Sequence, residues 1–346
     1  MLTPEMLDRI EAETVKAASA LERAVISLTG AWALKPAGHE LGFLSALQKL
    51  VGFGMDRVRK RVVSALFKAE NIGTSTADAD LDWLRRTAPK MPRTIATGVT
   101  IRTPAALAQA MHDMTPHIVM SATGLYREIL QRTLSTPPES EAARRRIAQD
   151  TLDDFTRRGI TGFVDRGGRR WNMVSYIEMA TRTAATQAAT DAHLHLLAAN
   201  GLDVVRMTVV PNCSDLCAPF QGRLLSISGA TRGEFGGHPI VASVSEAIAR
   251  GYQHPGCRHT LQMWVPGDVM PTPPPPDPEG YRNTQTLRRL EREVRQAKRA
   301  EAAAVTEESR AVARRAVRHG QARIRAHIDS TGLVRKRERE QIGRVL

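Results

Sequence analysis

Every cysteine of this chain lies in one short stretch between Pro211 and Val265, and two of its ten histidines flank the last of the three. The stretch opens Pro211-Asn212-Cys213-Ser214-Asp215-Leu216-Cys217 and closes His254-Pro255-Gly256-Cys257-Arg258-His259-Thr260. Zinc takes four soft donors in a tetrahedron. Four of Cys213, Cys217, His254, Cys257 and His259 would therefore make a Cys3His zinc site, structural and closed. His254-x-x-Cys257 lets both side chains face one ion, and Cys257-x-His259 places two donors on one face of a strand. Cys213-x3-Cys217 is one residue longer than the familiar knuckle spacing. The competing reading is three reduced, partly buried cysteines with two hydrogen-bonded histidines. An odd cysteine count does not build a secreted disulfide framework and points to folding in a reducing compartment.

Nothing in the sequence turns this cluster into a reaction centre. A zinc deaminase needs H-x-E upstream and P-C-x-x-C, whereas Pro211 stands two residues before Cys213 and no H-x-E occurs. His39-Glu40 continues Leu41-Gly42-Phe43 rather than completing a zincin helix motif. Neither a G-x-x-x-x-G-K-[ST] phosphate loop nor a G-x-S-x-G elbow is present. The chain is read as a non-enzyme.

Around the cluster, the pattern predicts an α+β protein. Residues 1–158 form a predominantly α-helical N-terminal region, with amphipathic runs over Glu5–Leu28, Phe43–Phe67, Asp78–Thr87, from Pro104 to about Leu134, and Ser140–Arg158. Gly30 is read as ending the first run, Asn71-Ile72-Gly73-Thr74 as a break, and Pro137-Pro138 as another. Residues 159–270 form a small antiparallel-sheet module with the Cys/His cluster. It begins with a glycine-rich turn or hairpin over 159–170, then a long helix from Trp171 to Ala199 with small residues at Ala180, Ala184 and Ala188. Strands follow at Val204–Val210, Gly222–Ser228 and His259–Val265, with a short helix at Ser243–Ala249. Residues 271–280 are a proline-rich linker of the polyproline type.

Residues 281–346 read as a long basic C-terminal helix and tail, with no Gly or Pro between Gly280 and Gly320. This segment holds 18 Lys and Arg against 8 Asp and Glu, +10 of the chain's formal +13. Such asymmetry points to a polyanionic partner for this region specifically. Leu287, Leu290, Val294 and Ala297 make a narrow apolar stripe. Arg288, Arg292, Arg295 and Arg299 run one position behind it, and Arg335, Lys336 and Arg337 form a later basic cluster. These seven are the candidate nucleic-acid contacts, made to phosphates without base stacking. No apolar run is long enough to span a membrane, and the first residues carry no basic leader or apolar signal core.

The residue order resembles the phage minor capsid protein 2 family, akin to the head-morphogenesis proteins typified by protein F of phage Mu. The resemblance rests on Trp171, Tyr176 and Arg182-Thr183, on Cys213-x3-Cys217 with Gln221-Gly222, and on His254-Pro255-x-Cys257-Arg258-His259-Thr260 with Pro266-Gly267. It continues through Tyr281, Gln285, Leu290-Glu291-Arg292 and Leu333-Val334-Arg335. The family commonly has Asn where Gly256 stands. The resemblance implies a structural protein of a tailed-phage or prophage head, present in few copies, made in the host cytoplasm and carried in the virion. Its partners would be portal and capsid proteins at the portal vertex or capsid interior, with packaged double-stranded DNA met non-specifically. No catalytic residue is implied. The alternatives from the residues alone are a metal-dependent nucleic-acid-processing enzyme and a zinc-containing DNA-binding protein.

Overall fold

The computed structural model describes residues 1–7, 10–35, 39–88, 105–135, 140–158, 161–164, 170–275 and 277–342. In chain order its elements are α1 (Ala12–Ala33), α2 (Glu40–Thr87), α3 (Ala105–Ser135), α4 (Glu141–Arg158), β1 (Thr161–Val164), β2 (Arg170–Asn172) and α5 (Met173–Ala199). Then come β3 (Val204–Met207), β4 (Leu224–Ser226), β5 (Glu234–Phe235), β6 (His238–Ser243), α6 (Val244–Ala249), β7 (Leu261–Met263), α7 (Pro278–Ala303) and α8 (Glu307–Thr331). The α+β class holds. The predicted helix start at Thr103-Pro104 and the predicted break at Pro137-Pro138 lie outside the described residues. Two compact units interleave along the chain: Met1–Glu11, Val62–Leu107 and Met179–Tyr281 form one, and Ala12–Arg61, Ala108–Glu178 and Arg282–Leu346 the other.

The first unit is built on a five-stranded sheet in the order β5-β6-β4-β3-β7. Strand alternation gives it two apolar faces. Val205, Leu225, Leu261 and Met263 join Leu81 and Leu84 of α2 and Leu194 and Leu197 of α5 in one core. Val204, Leu224 and Trp264 pack on Phe235, Ile240 and Met270 in another. The pairs β3–β4 and β3–β7 are antiparallel, whereas β4–β6 is parallel. The sheet is therefore mixed, not wholly antiparallel. The reason is that β5 and β6 pair with each other and were unrecognised, so the chain reaches β6 after a crossover.

In the same unit α2 runs unbroken through Asn71–Thr74. A Cβ on Gly73 would stand 2.2 Å from the carbonyl oxygen of Ala189. That glycine allows two helix backbones to touch and does not end a helix. On α5 the fully buried small residues are Ala185 and Ala189, one position on from the predicted stripe. Asp203 closes the far end of the sheet. Its carboxylate accepts hydrogen bonds from Ser226 Oγ at 2.7 Å, the Ser228 amide at 2.8 Å and Thr231 Oγ1 at 2.6 Å.

Among the described residues the second unit is helical apart from the β1–β2 hairpin, which meets the expectation for 159–170. α1 passes through Gly30, whose missing side chain gives room to Leu152. Phe43 stacks on Tyr126 at 4.3 Å. The predicted long C-terminal helix is two helices. Ala304–Thr306 interrupts it, because Thr306 caps α8 by accepting from the Ser309 amide and Gln149 Oε1 accepts from the Val305 amide at 2.6 Å. Leu287, Leu290 and Val294 of α7 then bury against Ile324. Gly320 sits where a Cβ would stand 2.8 Å from Val294, so it marks a helix crossing.

Candidate metal centre

The two cysteine-bearing segments meet in the first unit. Cys213 and Cys217 lie in the turn after β3, where the Cys217 and Ala218 amides both donate to the Ser214 carbonyl at 3.0 Å. His254 to Cys257 is a β-turn. The Cys257 amide donates to the His254 carbonyl at 2.9 Å, and Gly256 has φ +81°. Pro255 followed by Gly256 suits a type II turn, whose third position needs positive φ. Asn tolerates that conformation as well, so glycine in place of the commoner asparagine leaves the turn intact.

Cys217, Cys257 and His259 place one donor atom each within 4.8 Å of one another, all three buried. The two sulfurs are 3.7 Å apart, and Cys257 Sγ is 3.6 Å from His259 Nδ1. Zinc–sulfur bonds of ~2.3 Å in a tetrahedron give a sulfur–sulfur edge of about 3.8 Å. The dithiol spacing thus fits the ion, and this group can hold a metal.

The imidazole is oriented by Gln221. Gln221 Oε1 accepts from the Val210 amide at 2.8 Å, which fixes the side-chain oxygen, and it lies 3.1 Å from His259 Nε2. Nε2 therefore carries the proton and donates, leaving the Nδ1 lone pair toward Cys257. A ligating histidine whose other nitrogen is held by a carbonyl is a common supporting arrangement.

The remaining two predicted ligands differ. Cys213 Sγ is half-buried, 3.5 Å from His259 Nε2, and donates to the Ser214 carbonyl at 3.3 Å. It adjoins the group without being part of it. His254 is engaged elsewhere. Its Nε2 is 2.8 Å from Ser214 Oγ and its Nδ1 3.1 Å from the Pro255 carbonyl. The spacing gave both histidines equal standing, and the type II turn separates them.

Electrostatics favour one thiolate here. The hydrogen bond from the Cys217 thiol holds the Cys257 thiol well below the ordinary range against its burial. The same hydrogen bond and burial push Cys217 up. Burial, with the neighbouring Cys257 and Asp215 charges, pushes Cys213 up to about 11. A cation would relieve these costs, since a coordinated thiol is deprotonated outright.

The seven candidate nucleic-acid residues do not share one surface. Arg295 and Arg299 are buried, Arg295 beside Glu178 at 3.9 Å and Arg299 beside Glu22 at 3.4 Å. Neither can meet a phosphate in this fold, because α7 is covered on more than its apolar stripe. Arg288 pairs with Glu291 at 3.0 Å, and Arg335 takes Glu340 by two bonds of 2.6 and 2.7 Å. Arg292 and Arg337 are exposed, and Lys336 is partly so. Two contributors were missed by spacing alone: Gln221, which aims His259, and Ser214, which holds His254. Gln221-Gly222 was visible as a motif, but its role needs the fold.

A sequence profile of the family described as phage minor capsid protein 2 matches residues 43–329. A structural protein of Lactococcus phage LL-H is 23% identical over 155 residues, covering 42% of this chain and 40% of that protein. The shared region thus spans less than half the length of that relative. No solved structure matches the chain.

Proposed function

The chain belongs to the phage minor capsid protein 2 family, and on that premise we propose that it is a structural minor component of a tailed-phage or prophage head. The observation that carries this reading is the family match itself, which runs from α2 to the end of α8 and takes in both compact units. Few copies sit at the portal vertex or capsid interior, against portal and shell proteins. The C-terminal region, with its net +10, faces packaged double-stranded DNA and meets its phosphates without reading sequence. Among the described residues no helix is long and apolar enough to cross a membrane.

Within this protein the Cys/His cluster serves as a structural zinc site. Cys217, Cys257 and His259 Nδ1 supply three ligands, and Cys213, whose sulfur here lies against the opposite nitrogen of His259, must swing across to supply the fourth. The ion ties the turn after β3 to the turn before β7, and Gln221 keeps the imidazole aligned. Two buried sulfurs and a buried imidazole suit a closed ion that fixes a fold better than one that activates water.

Two experiments test this. Intact DNA-filled particles treated with protease should protect the chain until the head is opened; digestion in intact heads contradicts an interior position. Purified chain loaded with zinc should leave duplex and single-stranded DNA uncut. Metal-dependent cleavage that disappears in Cys257→Ser would instead establish the nucleic-acid-processing alternative.

A further inference from the structure

The solvent face of α8 carries three guanidinium groups that the fold does not use. Ala313, Gly320 and Ile324 form the buried side of this helix. Arg315, Arg318 and Arg325 are exposed. At 100° per residue they fall within about 80° of arc, on the opposite side, and span about 15 Å along the axis. The other arginines of the helix are spoken for: Arg310 pairs with Glu307 at 2.7 Å, Arg314 with Glu301 at 3.0 Å and Arg323 with Glu293 at 2.6 Å. Among the described residues, Arg315, Arg318 and Arg325 have no carboxylate within ion-pair distance. The other positions on their arc are Glu307, Ala311, Ala322 and Asp329, so the acids stand only at its two ends.

This contrasts with the stripe on α7, where an incoming phosphate would have to displace Glu22, Glu178 or Glu291 from buried pairs. On α8 nothing must be broken. The helix is a rigid scaffold, and Ala311 and Ala322 on the same arc let a ligand backbone come close. The arc holds no large apolar or aromatic side chain, so a protein partner would find no hydrophobic centre there and a base no stacking platform. It holds no Asn or Gln to read adenine edges. Isolated cations in a row, without other recognition chemistry, fit a phosphate backbone.

We propose that Arg315, Arg318 and Arg325 of α8 form the surface through which the C-terminal region contacts double-stranded DNA, by phosphate contacts and counterion release. This rests on the DNA contact proposed above and relocates it from α7 to α8. Each phosphate contact contributes about −0.9 to the slope of log affinity against log salt.

The test uses the full chain and a mixed-sequence duplex of about 30 base pairs, titrated by fluorescence anisotropy at several salt concentrations, with duplex length chosen to exceed a turn. Replacing all three arginines by glutamine should weaken binding at least ten-fold near 0.1 M salt and reduce the salt slope by about 2–3. Replacing them by lysine should preserve both. A charge-matched control on exposed α2 residues, Arg57→Gln with Arg61→Gln and Lys68→Gln, should leave the slope unchanged. Circular dichroism must report equal helix content for all variants. If the wild-type chain binds and the α8 glutamine variant binds equally well, this surface is wrong while the DNA contact stands. If the wild-type chain fails to bind the duplex even near 0.05 M salt, the DNA contact itself falls. Equal or tighter binding to a polyglutamate peptide of matched charge overturns the proposal in favour of an acidic protein partner.

Discussion

At the residue scale, the centre of this protein is a decision between two histidines that the sequence presents as equals. His259 is aimed by Gln221 into the dithiol, and His254 is taken by Ser214 and its own turn. Metal content should report this division. Cys217→Ser and Cys257→Ser should each abolish stoichiometric zinc and cost several kcal/mol of unfolding free energy, as loss of a structural ion does. His254→Ala should retain zinc and lie within about 1 kcal/mol of the parent. Zinc lost in His254→Ala and kept in Cys257→Ser, measured by elemental analysis, would reverse the ligand assignment. Asp203 makes a second residue-level prediction. Burial alone would raise its carboxyl, but hydrogen bonds from Thr231, Ser228 and Ser226 outweigh it and hold it below its ordinary value. The unfolded carboxyl titrates near about 3.9. The stabilisation is therefore complete above that pH and drains away as pH falls through the lower folded value. Asp203→Asn should lower stability at neutral pH and flatten the acid limb of a denaturation series; an unchanged acid limb would show that the carboxylate network contributes nothing. Residue types and spacing pointed to the stretch in which Cys217, Cys257 and His259 meet, but not to the separation of His254 from them. Asp203 was not, because one aspartate before a strand looks like any other until the loop that folds over it is known.

At the element scale, glycine was the residue most often misread. Gly30 and Gly73 read as stops in sequence, yet each, like Gly320, lies inside a helix where another element approaches. The local signal for a helix end and for a close crossing is the same missing Cβ, and only the partner distinguishes them. At Gly73 a methyl would meet the Ala189 carbonyl, a backbone atom that cannot swing aside. Gly73→Ala should cost about 1–3 kcal/mol as overpacking despite alanine's better helix propensity, measured by chemical denaturation; a stabilised variant would refute the crossing. The break between α7 and α8 shows the converse. It contains neither Gly nor Pro and depends on Gln149 capturing the Val305 amide. Gln149→Ala should loosen this junction and destabilise the second unit by about 1–2 kcal/mol; unchanged stability would mean the turn persists without it. The strand β3 was foreseen from β-branched alternation and β4 and β7 from the apolar runs after it, whereas β5 and β6 were hidden in a glycine-rich segment with little apolar pattern. That is why the parallel β4–β6 pair was unexpected.

At the scale of the whole molecule, charge and family tell a consistent story by separate routes. The region after Tyr281 carries most of the net charge, but its arginines divide into those that hold the fold and those that face solvent. A sequence count cannot make that division, since Arg295 and Arg315 look alike until the acids around them are placed. The family resemblance was legible because turn residues such as His254-Pro255-x-Cys257 carry a turn geometry and a donor sulfur in one short string. The central claim is that this chain is built into phage particles. The measurement that tests it most directly is absolute quantification by mass spectrometry of peptides from residues 43–329 in purified, DNA-filled particles, scaled to the major shell protein. The account predicts a few copies per particle, retained through density-gradient purification. Absence from purified particles, with the chain abundant in the infected-cell lysate, would contradict it.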